Sequence, residues 1–198
     1  MKNAVLFILI SALAFTACKK AAESTPSKGT SSNTDFDHLY HTLLSTSGYS
    51  EETTMDAEVH AYSFDVSAPR SITKVGYQSL PGFNTTPYLI EIYDSTTAAL
   101  LYSGYHTFSY TATSYDAIPP VAVAPGHNYV VRRIQTNWAG DIGNTIGKLA
   151  IHRTANDVIP IPFPQSYGNL IVTGSVFYGT GGPIYNYELP YIDLVFAP

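Results

Sequence analysis

Short runs in which apolar and polar residues alternate cover most of the chain from residue 57 onward. The alternation is clearest in residues 62–66 and 88–93, and the runs are rich in Val, Ile, Thr, Tyr and Phe. Clusters of Gly, Pro, Asn and Asp separate them. This period places successive side chains on opposite faces of a strand, and many short strands between turn signals are typical of a sandwich or barrel. The sequence therefore predicts an all-β domain, a single antiparallel β-sandwich of the jelly-roll or immunoglobulin-like type.

Two proline-containing segments make this prediction more specific. Pro119 and Pro120 cannot donate to a sheet ladder, so we expect them at a sheet edge or in a bulge. The sequence Ala-Pro-Gly at residues 124–126 lies between the runs 121–123 and 128–136. It predicts a tight turn that joins these two runs as a hairpin.

Residues 36–44 carry a competing helical pattern. Apolar residues recur there with the spacing of one helix face, and Asn33, Thr34 or Asp35 is placed to cap such a helix. The alternative is an edge strand over residues 41–45. The sequence leaves both open.

The N-terminus has the pattern of an export signal. Lys2 precedes residues 4–14, which are apolar except for Ser11, and this run is shorter than the ~20 residues that span a bilayer. Phe-Thr-Ala then precedes Cys18, which resembles the lipobox of bacterial lipoproteins. The resemblance implies cleavage before Cys18, a diacylglycerol on its thiol and acylation of the new N-terminus. An ordinary signal peptide with an incidental cysteine is the alternative.

The segment after Cys18 has the composition of a spacer. Residues 19–34 hold no large apolar side chain and carry three lysines against one glutamate. Such a segment cannot offset its ordering entropy by burial, so we expect a flexible tether. The predicted organisation is a signal peptide at 1–17, a lipidated cysteine and linker at 18–34, and a β-sandwich at 35–198. We expect a cell-envelope protein, anchored in the outer membrane on a face that the sequence leaves open.

Charge and cysteine content limit the partners. Residues 35–198 hold six Lys or Arg and fourteen Asp or Glu, a net charge of −8, without a basic stripe. Nucleic acid binding therefore has no electrostatic basis. Cys18 is the only cysteine, so no disulfide forms within the chain and packing alone stabilises the domain.

The C-terminal strand pattern resembles a domain-of-unknown-function family of secreted bacterial proteins. Residues 191–196, Tyr-Ile-Asp-Leu-Val-Phe, resemble its closing strand Asn-Tyr-Trp-Val-Asp-Val-Val-Phe, with Tyr191 or its neighbour in place of the tryptophan. Residues 71–77, 88–102 and 120–131 resemble further strands of that family in the same order. The resemblance implies a β-sandwich that accompanies glycan-active or adhesive modules, and it brings no catalytic residues.

Catalytic and metal-binding patterns are weak. No Gly-x-Ser-x-Gly turn is present, and nothing in the sequence brings Glu58, Glu91 or Asp193 together as a glycosidase pair. We therefore expect no enzyme, no cofactor and no metal. Asp141 and Asn144 are a weak option for calcium, because Asp and Asn also make ordinary turns.

Trp138 marks the predicted ligand site. It is the only tryptophan and lies beside Asn137 and Asp141 in a run of small and polar residues. A flat aromatic face with directional polar groups suits a sugar, whereas a Trp folded back onto the sandwich would only cap it. Arg132 and Arg133 point to opposite faces of one strand, so one lies on the core side, with Glu91 a candidate partner. The predicted site is Trp138, Asn137, Asp141 and Arg133.

Three function hypotheses follow. The first is a non-catalytic envelope lipoprotein whose sandwich binds a glycan or another envelope or extracellular ligand. The second is a structural or protein-partner module, which predicts an exposed apolar patch without a pocket. The third is a glycan-active enzyme, which requires two carboxylates in one cleft.

Overall fold

The computed structural model describes residues 33–53, 57–79, 85–136, 138, 147–179 and 181–197. The predicted cleavage site and Cys18 lie outside these residues, as does the tether up to residue 32. The described elements are one helix, α1 (Asp35–Leu44), and a series of strands. In chain order the strands are β1 (Tyr49–Glu52), β2 (Val59–Val66), β3 (Arg70–Tyr77), β4 (Tyr88–Asp94), β5 (Ala99–His106), β6 (Ser114–Val123), β7 (Tyr129–Gln135), β8 (Leu149–Arg153), β9 (Val158–Ile159), β10 (Gln165–Tyr167), β11 (Leu170–Tyr178), β12 (Ile184–Tyr185), β13 (Glu188–Pro190) and β14 (Asp193–Phe196).

The strands form antiparallel sheets, so the predicted all-β sandwich is confirmed. The large sheet has the order β10-β11-β2-β7-β4-β5, with β12 paired to β11. Opposite it lie two smaller sheets. The first has the order β14-β3-β6, and the second has the order β1-β8-β13 with β9 paired to β8. The buried pair Tyr191 and Ile192 links β13 to β14, so one chain segment passes from one small sheet to the other.

The core lies between the large sheet and the two small ones. Alternation on β7 sends Tyr129, Val131 and Arg133 inward, and β2 contributes Tyr62 and Phe64 from the same face. The small sheets pack fully buried aliphatic side chains against this face, among them those at positions 72, 75, 189 and 194. Close packing of these side chains supplies the main stabilisation, since the chain has no disulfide to add.

Residues 35–44 are helical, as one of the two sequence alternatives predicts. Thr34 is the N-cap, and its side chain accepts a hydrogen bond from the Asp37 amide. Acidic residues in the first turn interact favourably with the positive end of the helix dipole. The helix packs Phe36, Leu39 and Tyr40 into the core, with the Phe36 and Tyr62 rings 4.9 Å apart. It is a closing element of the sandwich rather than an edge strand. No helix among the described residues is long and apolar enough to cross a bilayer.

Two sequence predictions about strand pairing have different outcomes. Pro119 and Pro120 lie in β6, an edge strand, at the point where its register with β3 shifts, which confirms the expected edge or bulge. The hairpin around residues 124–126 is wrong, because β6 pairs with β3 whereas β7 pairs with β2 and β4. The turn is real, and Gly126 adopts a positive φ of 82° in it. It carries the chain from a small sheet across to the large one.

Candidate functional site

A groove at one edge of the sandwich is the candidate functional site. It has a volume of about 390 Å³ and is formed by α1, β1, the β5–β6 connection and the segments that flank β8 and β14. Its lining residues are Asp37, His41, Glu51, Gln78, Thr111, Ala112, Thr113, Tyr115, Lys148 and Tyr191. We call this set the α1 groove. Its volume lies within the range of small-molecule sites, roughly 300–1,000 Å³.

Hydrogen bonds between α1 and the sandwich fix one wall of the α1 groove. The Tyr191 hydroxyl donates to Asp37 Oδ1 at 2.5 Å, and the Tyr115 hydroxyl donates to Asp193 Oδ2 at 2.7 Å. Thr34 donates to the other oxygen of Asp193, also at 2.7 Å. Buried bonds of this kind to carboxylates are stronger than those between neutral groups. The wall is therefore rigid before any ligand arrives.

The other wall carries solvent-accessible polar groups. Glu51 Oε1 lies 3.9 Å from the Lys148 ammonium, and Gln78 donates from its amide to the Tyr110 carbonyl at 2.9 Å. Thr111 and its neighbours on the β5–β6 connection add hydroxyl groups. Both acceptors and donors therefore line the α1 groove.

The charge of the α1 groove is not positive. Asp37 and Glu51 stand against Lys148, and the imidazole of His41 lies 3.4 Å from Asp37. An anionic ligand would meet repulsion there, whereas a neutral polyhydroxylated ligand finds hydrogen-bond partners of both kinds. The geometry suits a sugar better than a phosphate or a carboxylate.

Two larger depressions offer less. One of about 510 Å³ has a largely apolar lining, with Arg70 as its charged residue. Another of about 500 Å³, beside His127, also gathers charged and hydroxyl side chains from separate elements, including Asp65, Thr96 and Thr173. It is more open than the α1 groove, so a ligand there would keep more of its surface in water.

A second polar feature lies inside the sandwich. His60, Arg133 and Glu188 are fully buried, and Gln135 is nearly so. His60 is directly opposite Arg133 in the β2–β7 register, and Gln135 is two residues along the same face. His60 Nε2 lies 3.6 Å from Glu188 Oε1. We call these four residues the buried polar cluster.

Burial sets the protonation of the buried polar cluster. It raises the pKa of Glu188 to about 8, although the positive charge of Arg133 acts in the opposite direction. Burial also lowers the pKa of His60 well below its usual range, and Arg133 reinforces that effect. Near pH 7 the cluster therefore holds a neutral imidazole, a largely protonated acid and a charged guanidinium, which cannot deprotonate.

The structure describes two of the four residues of the predicted ligand site. Trp138 is half-buried, and its ring packs closely against the residue that follows β11, since a Cβ on Gly179 would lie 2.7 Å from Trp138 Cζ2. It folds back onto the sandwich rather than standing exposed. Arg133 is the inward arginine and is fully buried, so it is not a surface ligand contact. Asn137 and Asp141 lie outside the described residues, as does Asn144 of the calcium option.

The arginine pair follows the predicted alternation, but Glu91 pairs with the outward member. Arg132 Nε donates to Glu91 Oε2 at 2.6 Å, and its guanidinium lies 4.4 Å from the Tyr93 ring centre. This pair lies on the solvent-facing side of the large sheet. Of the other carboxylates considered for catalysis, Asp193 is fully buried beneath α1. Glu91 and Asp193 therefore do not share a cleft. Within the described ranges, no three His, Asp or Glu side chains converge as metal ligands would.

Sequence reasoning missed the α1 groove. Its residues come from positions 37 to 191, and long-range strand pairing brings them together. One signal was available, because Asp37 and His41 are four residues apart and a helix places them on one face. No protein-family profile matches the chain, and no curated protein is significantly similar to it in sequence.

Proposed function

We propose that the protein is a lipid-anchored, non-catalytic binding protein of the bacterial cell envelope, and that the α1 groove binds a neutral glycan. The supporting observation is the groove itself, which is lined by carboxylate, amide, hydroxyl and ammonium groups from separate elements. Sugars present many hydroxyls that both donate and accept, so a site with both kinds of partner suits them. The lipobox-like sequence before Cys18 supports the anchor.

A glycan array tests this proposal. The purified full chain is expected to bind neutral oligosaccharides, and Glu51→Gln and Thr111→Ala are expected to weaken that binding by roughly 2- to 12-fold each, since a lost hydrogen bond costs about 0.5–1.5 kcal/mol. Asp65→Asn, in the open hollow beside His127, is the matched control and keeps wild-type affinity. No binding, or binding that Asp65→Asn weakens and Glu51→Gln does not, would contradict the proposal.

A protein-partner role is the second candidate. An apolar row crosses the outer face of the large sheet from β5 to β11, formed by Tyr105, Leu89, Ile134, Val59 and Tyr178. Tyr105 is 67% exposed, whereas Val59 is buried and the other three are half-buried. Antiparallel sheets usually present polar residues to water, so the exposed end of this row at Tyr105 favours a contact surface. Loss of a co-purifying envelope protein from Tyr105→Ser, with glycan binding intact, would favour this function.

A glycan-active enzyme is the third candidate, because Asp37 and Glu51 line the same groove. Glycoside hydrolysis uses two carboxylates on either side of the scissile bond. Incubation of the full chain with each bound oligosaccharide distinguishes the two roles. Binding without new reducing ends supports the non-catalytic proposal, whereas cleavage that Asp37→Asn and Glu51→Gln both abolish identifies an enzyme.

A further inference from the structure

The buried polar cluster contains many polar atoms that have no hydrogen-bond partner. Among the described residues, these include the three guanidinium nitrogens of Arg133, both ring nitrogens of His60, both carboxyl oxygens of Glu188 and both amide atoms of Gln135. Native interiors leave few polar groups unpaired, because an unpaired buried group loses its hydration without a replacement. Such a concentration at one place in a folded protein is what an ordered water or a bound ion would satisfy.

Arg133 imposes the strongest requirement. Its guanidinium carbon lies 5.7 Å from the ring centre of Tyr77 and 5.6 Å from that of Tyr88. These rings interact with the positive charge, but an aromatic face is a weak substitute for an acceptor at the N–H groups. Within the part of the chain that the structure describes, no carboxylate lies within ion-pair distance of this guanidinium. The guanidinium is thus buried between two tyrosine rings, with no described carboxylate within 4.0 Å of it.

Glu188 does not meet this requirement. Its Oε1 lies 3.6 Å from His60 Nε2, whereas Arg133 acts on it only from beyond ion-pair distance. Burial raises the pKa of Glu188 to about 8, which favours its protonated form near neutral pH. A protonated carboxyl offers an O–H donor, so it adds to the donors already present on Arg133 and Gln135. Cross-strand neighbours lie about 4.5–5.5 Å apart at Cβ, and positions two residues along a strand share a face. The side chains of His60, Arg133 and Gln135 therefore lie on the same, inner face of the large sheet.

We propose that Arg133, with Gln135 and His60 beside it, binds a small monoanion of carboxylate type inside the sandwich. The planar guanidinium fork matches the two oxygens of a carboxylate, and one negative charge balances the one fixed positive charge of the site. The α1 groove differs from this site, because it is open to solvent and carries no net positive charge. This site therefore does not depend on the glycan proposal, and either one can fail without the other.

Thermal unfolding of the purified full chain tests the site, with sodium acetate, sodium formate and sodium chloride as probes at constant ionic strength. Acetate or formate at about 100 times its dissociation constant is expected to raise the Tm by roughly 5–10 °C. A smaller response to chloride is expected, because a spherical ion cannot match the guanidinium fork, and an equal response overturns the carboxylate assignment. The absence of a saturable rise with any of the three overturns the proposal.

The adjacent arginine supplies the matched control. Arg132→Gln removes a guanidinium from the same strand but from the opposite face, so its response to acetate is expected to equal that of the wild type. Arg133→Gln and Arg133→Lys are expected to lose the response, because the first lacks the charge and the second lacks the fork. An undiminished response in both Arg133 variants places the anion elsewhere and overturns the proposal.

A structural measurement covers the case in which the Arg133 variants do not fold. Crystals of the wild-type full chain grown with acetate are expected to show planar density within about 3.5 Å of the Arg133 guanidinium nitrogens. Ordered water alone at that position, at an acetate concentration that saturates any Tm response, contradicts the proposal.

Discussion

The hydroxyl of Thr34 donates a hydrogen bond of 2.7 Å to the buried carboxyl group of Asp193, across a sequence separation of 159 residues. The same hydroxyl oxygen accepts from the Asp37 amide at 2.9 Å, so one side chain caps α1 and joins it to the closing strand β14.

Replacement of Thr34 tests that link. Thr34→Val removes the cap and leaves Asp193 with one donor fewer, so we expect the free energy of unfolding to fall by about 2–4 kcal/mol. Thr34→Ser keeps the hydroxyl and is expected to stay within about 1 kcal/mol of the wild type. Urea unfolding followed by circular dichroism measures both. Equal losses in the two variants would show that the threonine methyl group, not the hydroxyl, stabilises the junction.

Stability should depend on pH through two buried acids. Burial raises the pKa of Asp193 to about 6, although hydrogen bonds from Tyr115 and Thr34 oppose it, and burial raises that of Glu188 to about 8. In the unfolded chain both carboxyl groups have a pKa of ~4. Between that pH and the folded-state pKa of each group, the folded state therefore binds more protons than the unfolded state. Their contribution to stability is therefore full below about pH 4. It is lost as the pH rises through about 6 for Asp193 and about 8 for Glu188.

Glu188→Gln isolates the second of these effects, because it imitates the protonated acid at every pH. We expect its Tm to rise relative to the wild type by at least about 4 °C between pH 6 and pH 8. Asp157→Asn, at an exposed loop position, is the control. A Tm difference between Glu188→Gln and wild type that stays constant over this range would show that Glu188 ionises before pH 6.

Gly179 and Trp138 form a contact that a single methyl group should disrupt. A Cβ at position 179 would lie 2.7 Å from the indole, so Gly179→Ala is expected to displace the ring. Trp138 is the only tryptophan, and its buried Nε1 would become hydrated, which shifts its fluorescence emission to longer wavelength. A Cβ on Gly181 meets nothing within 4 Å, so Gly181→Ala should leave the emission unchanged. An unshifted Gly179→Ala spectrum would mean that the indole packs elsewhere in solution.

The strands could be predicted from the sequence, but the strand pairing could not. Alternation over residues 62–66 and 88–93 is a local pattern, and both runs lie in observed strands. The turn at residues 124–126 is equally local, yet the strands on either side of it pair with partners far away in sequence. A turn residue fixes the backbone direction, whereas burial over the whole sheet decides which strand lies beside which.

The α1 groove and the buried polar cluster also could not be predicted from local sequence patterns. In β7, Tyr-Val-Val-Arg-Arg-Ile-Gln, each face would carry two apolar residues and one arginine, so the sequence alone does not decide which arginine is buried. The core side proves to be that of Tyr129 and Val131, which places Arg133 inside. Prediction of the α1 groove would also require the tertiary packing, because Asp37, Glu51 and Tyr191 come together only when separate segments of the chain pack.

The sequence predicts that the thiol of Cys18 is lipidated, and this prediction can be measured directly. If its thiol carries a diacylglycerol, the protein fractionates with membranes and partitions into detergent. Each methylene group buried in the membrane contributes about 0.8 kcal/mol. One acyl chain alone binds only weakly, whereas the two chains of a diacylglycerol anchor a protein stably. We expect Cys18→Ala to abolish this partitioning and to remove the lipid mass from the N-terminal peptide in mass spectrometry. Lys20→Ala, which alters the neighbouring charge but keeps the thiol, is the matched control and should remain with the membrane. Unchanged membrane association of Cys18→Ala would mean that another part of the chain provides the attachment, and the envelope location would then need a different physical basis.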